Sequence, residues 1–324
     1  MEASKRNYYA ISLASFVIMV MLVGEQRRRY GGPTPWSSGP SAAKAGQTPQ
    51  LSVVDIPRSG PPMGTTEQTV FAGEPAVPKY VHLIWFYPPE SDFRFHHLMC
   101  LMSIKLHIKP QRIILWHSHQ PRGAWWAFAK KVVSEIALVP YAVPTRVFNQ
   151  SVNIVEHRSD IARLDILIKY GGIYFDLDVV ALKDFKPLLQ YPATLGAETP
   201  DLLGSGVILA RPNATFLRLW KDTYRNYEPT KWNYNSVVVP MRLAKAHSGS
   251  VHIEWFTIHR PNWFERDWLY TSGKLWDWSE NYAVHLWYRT HDRDYDPITI
   301  RTLNTTVGEI FRYIYYGNPA LFKT

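Results

Sequence analysis

Apolar and polar positions along this chain follow two different periods, and the switches between them mark its elements. The first run, Asn7 to Gly24 (NYYAISLASFVIMVMLVG), carries no charge and is flanked by Lys5-Arg6 and by Arg27-Arg28-Arg29. Such a run of about 18 residues makes roughly 27 Å of helix, enough for the thinner membranes of the early secretory pathway. No small-x-small cleavage site follows it before the arginines, so an uncleaved signal anchor over 8–24 is expected behind a short tail, 1–7. Basic residues flank both ends, so charge alone does not orient the span. Residues 25–77 hold 7 Gly and 8 Pro and almost no aromatic side chains. A segment of that kind buries too little apolar area to offset its ordering entropy and reads as a Pro/Gly-rich stem.

From 78 to 324 short apolar runs alternate with helical patterns, the mark of a single α/β domain. YVHLIWF at 80–86 and RIILWH at 112–117 read as strands, followed by helices near 93–108 and 123–137. Over 153–170 the apolar residues Ile154, Ile161, Leu164 and Ile168 recur at helical spacing, and Gly171-Gly172 supplies a left-handed stop. Strands are expected at 173–175, 179–182, 193–197, 206–210, 251–256 and 283–288, helices near 213–226 and 234–246, and a threonine-capped terminal helix at 303–316.

Composition narrows the picture. With 324 residues, 46% hydrophobic and 14% aromatic, the chain has material for a large core, which excludes disorder over most of its length. Its net charge of +9 divides into about +3 in the first 30 residues, −1 over 31–77 and +7 beyond. No basic run in the domain exceeds two residues, which argues against a nucleic-acid partner. The single cysteine, Cys100, excludes an intrachain disulfide framework. Thirteen tryptophans offer flat apolar rings for sugar or base stacking, besides their ordinary use in packing. Sequons at Asn149, Asn213 and Asn304 lean towards a luminal domain, and Asn213 also suits a helix N-cap.

The segment SDIARLDILIKYGGIYFDLD, 159–178, concentrates the chemistry. Asp176 and Asp178 close an apolar strand at its carboxyl end, where α/β sheets present ligand sites. In an extended backbone positions i and i+2 face the same way, so the two acids are expected on one side with Leu177 on the other. Such a pair suits a hard divalent cation; solvated loop acids are the bland alternative. Asp160 and Arg163 share a helix face, ready to hold phosphate or sugar or simply to form an intrahelical ion pair. Asp165 faces elsewhere, with Lys169 one turn on, and reads as structural.

These residues resemble the glycosyltransferase family 32 sugar-binding region, which carries the DXD motif. The resemblance rests on Ser159-Asp160, Arg163, Leu167, Tyr170-Gly171-Gly172, Tyr174, Asp176 and Asp178, with PKYVHLIWF at 78–86 and, more weakly, GSGVILARPNATF at 204–216 and YAVHLWYR at 282–289. It covers roughly 78–290 and implies a GT-A fold, a UDP-sugar donor, Mn²⁺ (with Mg²⁺ as the alternative), retention of configuration and a single-pass type II Golgi membrane protein with a luminal catalytic domain. The reaction implied is transfer of a hexose, galactose or N-acetylglucosamine, to a glycan or glycolipid acceptor. Carried over by residue, Asp176 would contact sugar or ribose and Asp178 the metal. Asp160, Arg163 and Tyr174 would hold the donor, and Trp85 would lie against the uracil ring. His285 is a third metal or phosphate ligand or a packed strand histidine; His82 reads as structural. Retention calls for a carboxylate nucleophile or same-face attack, and Glu198 and Asp201 are the nearest acids by order, with acceptor or solvent contact as their other reading. Animal galactosyltransferase-like members carry several luminal cysteines where this chain has Cys100 alone, so the likeness is to the donor site.

Two rivals use the same residues. YFDLDVV is also similar to the first motif of haloacid-dehalogenase phosphatases, but about 95 residues of α/β pattern precede it here and no Gly-Asp pair follows. The other rival is a non-catalytic, membrane-tethered carbohydrate-binding relative using the Trp-rich surface at 255–287; the intact acidic pair with Asp160 and Arg163 argues against it.

Overall fold

A computed structural model describes residues 77–134, 136–291 and 293–322. The expected tail, span and stem lie outside these residues, Val77 excepted, and no helix among the described residues is long and apolar enough to cross a membrane. In chain order the elements are β1 (Tyr80–Trp85), α1 (Phe95–Ser103), β2 (Arg112–His117), α2 (Ala124–Val132), β3 (Ile136–Pro140), the small hairpin β4 (Arg146–Val147) and β5 (Gln150–Ser151), α3 (Val155–Tyr170), β6 (Gly172–Phe175), β7 (Val179–Ala181), β8 (Ala193–Thr199) and β9 (Leu202–Ala210). They continue with α4 (Thr215–Asp222), α5 (Val239–Ala246), β10 (His252–Glu254), α6 (Asp267–Tyr270), β11 (Ala283–His285) and α7 (Thr306–Tyr316).

Seven strands form one mixed sheet in the order β10-β8-β9-β6-β1-β2-β3. All pairings are parallel except those of β9, which runs against both β6 and β8. The chain winds outward from β1 to β2 and β3, then α3 returns it to β6 on the other side of β1. The crevice at the carboxyl ends of β1 and β6 is therefore a topological switch point, the place where open α/β sheets bind ligands. A separate two-stranded ribbon pairs β7 with β11, setting His285 opposite Val179.

Several expected elements are trimmed. The helix near 93–108 ends at Ser103 and passes into a π-helical turn, Ile104–Ile108. The tail of the helix near 123–137 is instead the start of β3: Ile136-Ala137-Leu138-Val139 pairs with β2, and apolar periodicity alone does not separate an edge strand from a continuing helix. The terminal helix starts at Thr306, and the Thr305 side chain accepts from Gly308 N–H as its cap. The cap position of α4 is Ala214 rather than Asn213, which sits at φ 58 in the preceding turn.

Helix α3 is buried on more than its apolar stripe. Ile161, Leu164 and Leu167 join Phe216, Leu217 and Trp220 in the core, while Asp160 and Arg163 are buried as well. Its exit requires glycine twice. Gly171 and Gly172 have φ of 63 and 108, and a Cβ would lie 2.5 Å from Pro212 Cδ and 2.7 Å from the Tyr80 carbonyl oxygen, respectively. His82 seals this corner. Its Nδ1 accepts from the Trp116 indole N–H (3.1 Å), so Nε2 carries the proton and donates to the Gly171 carbonyl (2.8 Å). Burial lowers its pKa to about 4, as a structural, neutral imidazole requires.

Candidate functional site

Past β6 the backbone does not stay extended. Asp176 N–H donates to the Gly206 carbonyl (2.8 Å), and Val179 N–H closes a turn onto the Asp176 carbonyl (3.1 Å). The two aspartates thus meet through a turn and not through strand alternation, because β7 must leave the main sheet to pair with β11. Cys100 lies buried beneath this turn, its thiol 3.7 Å from the Asp176 carbonyl and pushed up by burial.

Arg163, only 5% exposed, organises the near side. Nη1 donates to the Ser205 carbonyl (2.7 Å) and hydroxyl (2.9 Å), Nη2 meets Asp160 (3.1 Å) and Asp176 (3.2 Å), and Nε points at the Ser159 carbonyl (3.4 Å). These partners match the five N–H donors of a guanidinium, which leaves Arg163 as a positioning residue and not a ligand for phosphate. Its charge also lies 4.6 Å from the Tyr174 ring. Burial raises the Asp160 carboxyl, with Arg163 pulling against it. Tyr174 OH donates to the same Asp176 Oδ1 (2.6 Å), so that oxygen is fully used and Oδ2 faces Gly206 and His285.

Asp178 is fixed from the other side. Its Oδ1 lies 3.1 Å from His285 Nε2, and its Oδ2 accepts from Tyr288 N–H (3.1 Å). Burial alone would raise this carboxyl, but His285 and the Tyr288 amide outweigh burial and hold it below its ordinary value. For His285 burial is the largest single influence and works downward, but the charge and hydrogen bond of Asp178 together with Asp176 and Glu198 outweigh it, so its pKa is raised. Its ring stacks on Trp287 at 3.8 Å, and Nδ1 has no hydrogen-bond partner among the described residues.

Asp176, Asp178 and His285 each offer a ligand atom within 4.8 Å of the others. Two carboxylate oxygens and an imidazole nitrogen suit Mn²⁺ or Mg²⁺. Room is kept beside them by Gly206, where a Cβ would sit 3.1 Å from Asp176 Oδ2 and from His285 Nδ1. The sequence placed His285 between ligand and packing; the structure sets it against Asp178, with both features present.

Trp85 is the clear departure. It is fully buried, 5.6 Å from Phe93 and edge-on to His97 at 5.3 Å, because the last side chain of β1 points into the core under α1. A ring with no exposed area has no face for a ligand. The exposed ring of that cluster is Tyr87, 4.5 Å from Trp85 and 41% exposed. Its hydroxyl is pushed up by surrounding protein and then by the charges of Asp178 and Asp176.

Two features were not legible from motifs. Strands β8 and β9 fall out of register at two points: Ser205 to Val207 bulge away from β8 to serve β6 and Arg163, and Glu198 is the extra residue between the pairs Ala197↔Leu203 and Thr199↔Leu202. A bulge re-aims its side chain. The Glu198 carboxyl has no hydrogen-bond partner among the described residues, and burial pushes it up to about 7 against the pull of His285. His259 fills the gap the bulges leave, fully buried over Gly196 and Gly204, and burial lowers it to about 3. Asp201, by contrast, is an exposed partner of Lys245 (2.7 Å), and the sequon residues Asn149, Asn213 and Asn304 are all exposed.

Residues 97–195 match the model of the glycosyltransferase sugar-binding region containing DXD motif. The chain is 29% identical over 194 residues to glucan organizing enzyme 1 of Cryptococcus neoformans var. grubii serotype A, covering 55% of this chain and 52% of that protein. It is 37% identical over 78 residues to inositol phosphoceramide mannosyltransferase 3 of Schizosaccharomyces pombe, covering 24% of this chain and 21% of that one. The chain thus spans about half the length of the first relative and about a fifth of the second. Among solved structures, galactosyltransferase LgtC in complex with donor and acceptor sugar analogues aligns over 75% of this chain and 98% of its own, with 11% identity and a TM-score of 0.39. The matched stretch, 97–195, is the part of the chain that carries Asp160, Arg163, Asp176 and Asp178.

Proposed function

We propose that this protein is a metal-dependent, retaining GT-A glycosyltransferase that moves a hexose from a UDP-sugar to a glycan or glycolipid acceptor. In this reading the span at 8–24 tethers it to a Golgi membrane with the catalytic domain in the lumen. The observation that carries the reading is the convergence of Asp176, Asp178 and His285 just past β6, at the switch point of a mostly parallel sheet. The sequence family at 97–195 supports the same chemistry.

Asp178 and His285 would hold the cation, Mn²⁺ or Mg²⁺, with Asp176 beside them. When bound, that ion stabilises the charge growing on a departing nucleoside diphosphate. Asp176 Oδ2, the oxygen left open by Tyr174 and Arg163, is placed to accept from a sugar or ribose hydroxyl. Arg163 and Asp160 keep that carboxylate in position, so the oxygen needs no reorganisation when substrate arrives. Tyr87 takes the base-stacking role first assigned to Trp85, since its ring is the one open to solvent. Glu198, titrating near neutrality, is the acid or base assigned to the acceptor hydroxyl. Galactose and N-acetylglucosamine remain the transferred sugars of this proposal, and mannose enters through the name of the second relative.

The test is hydrolysis of UDP-galactose, UDP-N-acetylglucosamine and GDP-mannose by the full-length protein with Mn²⁺ and with a chelator. Turnover of at least one donor that stops on chelation is expected. No turnover of any donor, beside retained binding of glycans, would turn the reading to the non-catalytic one.

A further inference from the structure

The segment between β10 and β11 is braced more firmly than a surface connection needs. Asn262, buried, accepts from the N–H groups of Phe264 (2.9 Å) and Glu265 (3.1 Å) and donates to the carbonyl of the bulged Glu198 (2.8 Å). Glu265 reaches back to the Asn262 N–H (3.0 Å) and takes both arms of the Arg260 guanidinium. Asn281 Nδ2 donates to the Arg260 carbonyl (2.6 Å), and the Trp287 indole N–H donates to the Pro261 carbonyl (3.0 Å). Residues 260–265 are therefore fixed to β8 on one side and to the strand end after β11 on the other.

What this frame presents is apolar. Trp263 is 39% exposed and Phe264 61% exposed, although polar side chains would serve a connection equally well. A frame with buried hydrogen bonds that holds two large rings open to water is the construction of a binding surface. Trp263 is also continuous with the acidic site. It meets Trp287 edge-on at 5.7 Å, and Trp287 stacks on His285. The Arg266 guanidinium lies over the Trp263 ring, 4.6 Å from its centroid, and donates to the Trp263 carbonyl (2.6 Å), so it backs the ring with a cation and polar N–H groups. A flat apolar ring beside hydrogen-bonding groups matches the C–H face and hydroxyl edge of a pyranose.

We infer that Trp263 and Phe264 are the platform on which the sugar ring of the acceptor lies, held beside the cation site by Trp287 and beside Glu198 by Asn262. The inference rests on the transferase reading for the word acceptor; the binding surface itself is tested without turnover. The probes are the octyl glycosides of galactose, glucose and mannose, below their micelle concentrations, in saturation-transfer NMR with the full-length protein. Ring protons of at least one glycoside receive saturation from the wild type. The signal falls about fivefold or more in Trp263→Ala, by a smaller factor in Phe264→Ala, and is kept in Trp263→Phe, since the interaction needs a ring and not an indole. Melting curves of the variants show whether the fold is kept. No saturation of any glycoside by the wild type, or equal saturation in Trp263→Ala, overturns the platform. Metal-dependent donor hydrolysis by the wild type, run alongside, reports separately on the transferase reading: its absence counts against that reading whatever the NMR shows.

Discussion

The two walls of the site are built by opposite means. On the wall made by α3 and β6, Arg163 locks Asp160, Asp176 and Ser205 into one polar network, and Asp176 Oδ2 is left facing Gly206 and His285. On the wall made by 256–290, aromatic rings run from His285, stacked on Trp287, to Trp263, which meets Trp287 edge-on, and apolar area is left open. The first wall spends its donors internally and so sets one carboxylate precisely in place. The second is fixed at its backbone and open at its side chains, as a surface that meets a larger ligand would be. Breaking the first wall should therefore cost stability, and breaking the second should cost recognition.

The largest effect is expected for Arg163→Leu. It leaves Asp160 buried and Asp176 part-buried without their cation, and removing one partner of a buried ion pair costs about 3–5 kcal/mol. Thermal unfolding should fall by roughly 10 °C for a domain of this size. A shift of only about 2 °C would mean that the network is not what holds this wall.

Gly206→Ala comes next and separates geometry from stability. Its Cβ lands 3.1 Å from Asp176 Oδ2 and from His285, so the ligands are crowded while the fold is kept. Manganese affinity, followed by electron paramagnetic resonance, should drop about 10- to 100-fold, as when groups around a metal ligand are disturbed. Unchanged affinity would remove Gly206 from the site.

The smallest effect tests the seam between the walls. Glu198 is raised from 4.5 to about 7 in the folded protein, so the folded state binds its proton more tightly than the unfolded chain does. Its contribution to stability is whole below pH 4.5 and is lost as pH rises through about 7. Glu198→Gln should accordingly melt higher than the wild type at pH 8, by about 2 kcal/mol or less because the residue is part-exposed, and should match it near pH 4. Melting curves in chelator that run parallel at both pH values would show that Glu198 is solvated like any surface acid.

The contrast between walls also explains what could be read from sequence. The α3 to β6 wall was legible because its signals are local: helical spacing of Ile161 and Leu164, two glycines in succession, and acids directly after IYF. Their mode of convergence was not, since the turn at 176–178 is imposed by β7 pairing with β11 a hundred residues on. Trp85 failed for a related reason: alternation tells which residues share a strand face but not which face α1 covers. Glu198 came up only by order along the chain, because a bulge is a property of two strands together. The aromatic wall was visible as the Trp-rich stretch 255–287, but Trp276 and Trp263 look alike in sequence, and the brace around Asn262 tells which is held open.

The most direct test of the central claim is a calorimetric titration of UDP into full-length wild type and Asp178→Asn, each with Mn²⁺ and with a chelator. The account predicts that wild-type affinity falls at least about 100-fold on chelation and by a similar factor in Asp178→Asn with Mn²⁺ present, while the variant melts within about 3 °C of the wild type. UDP binding of equal strength in all four titrations would contradict it, because the acidic pair and His285 would then hold no ion on which a diphosphate depends.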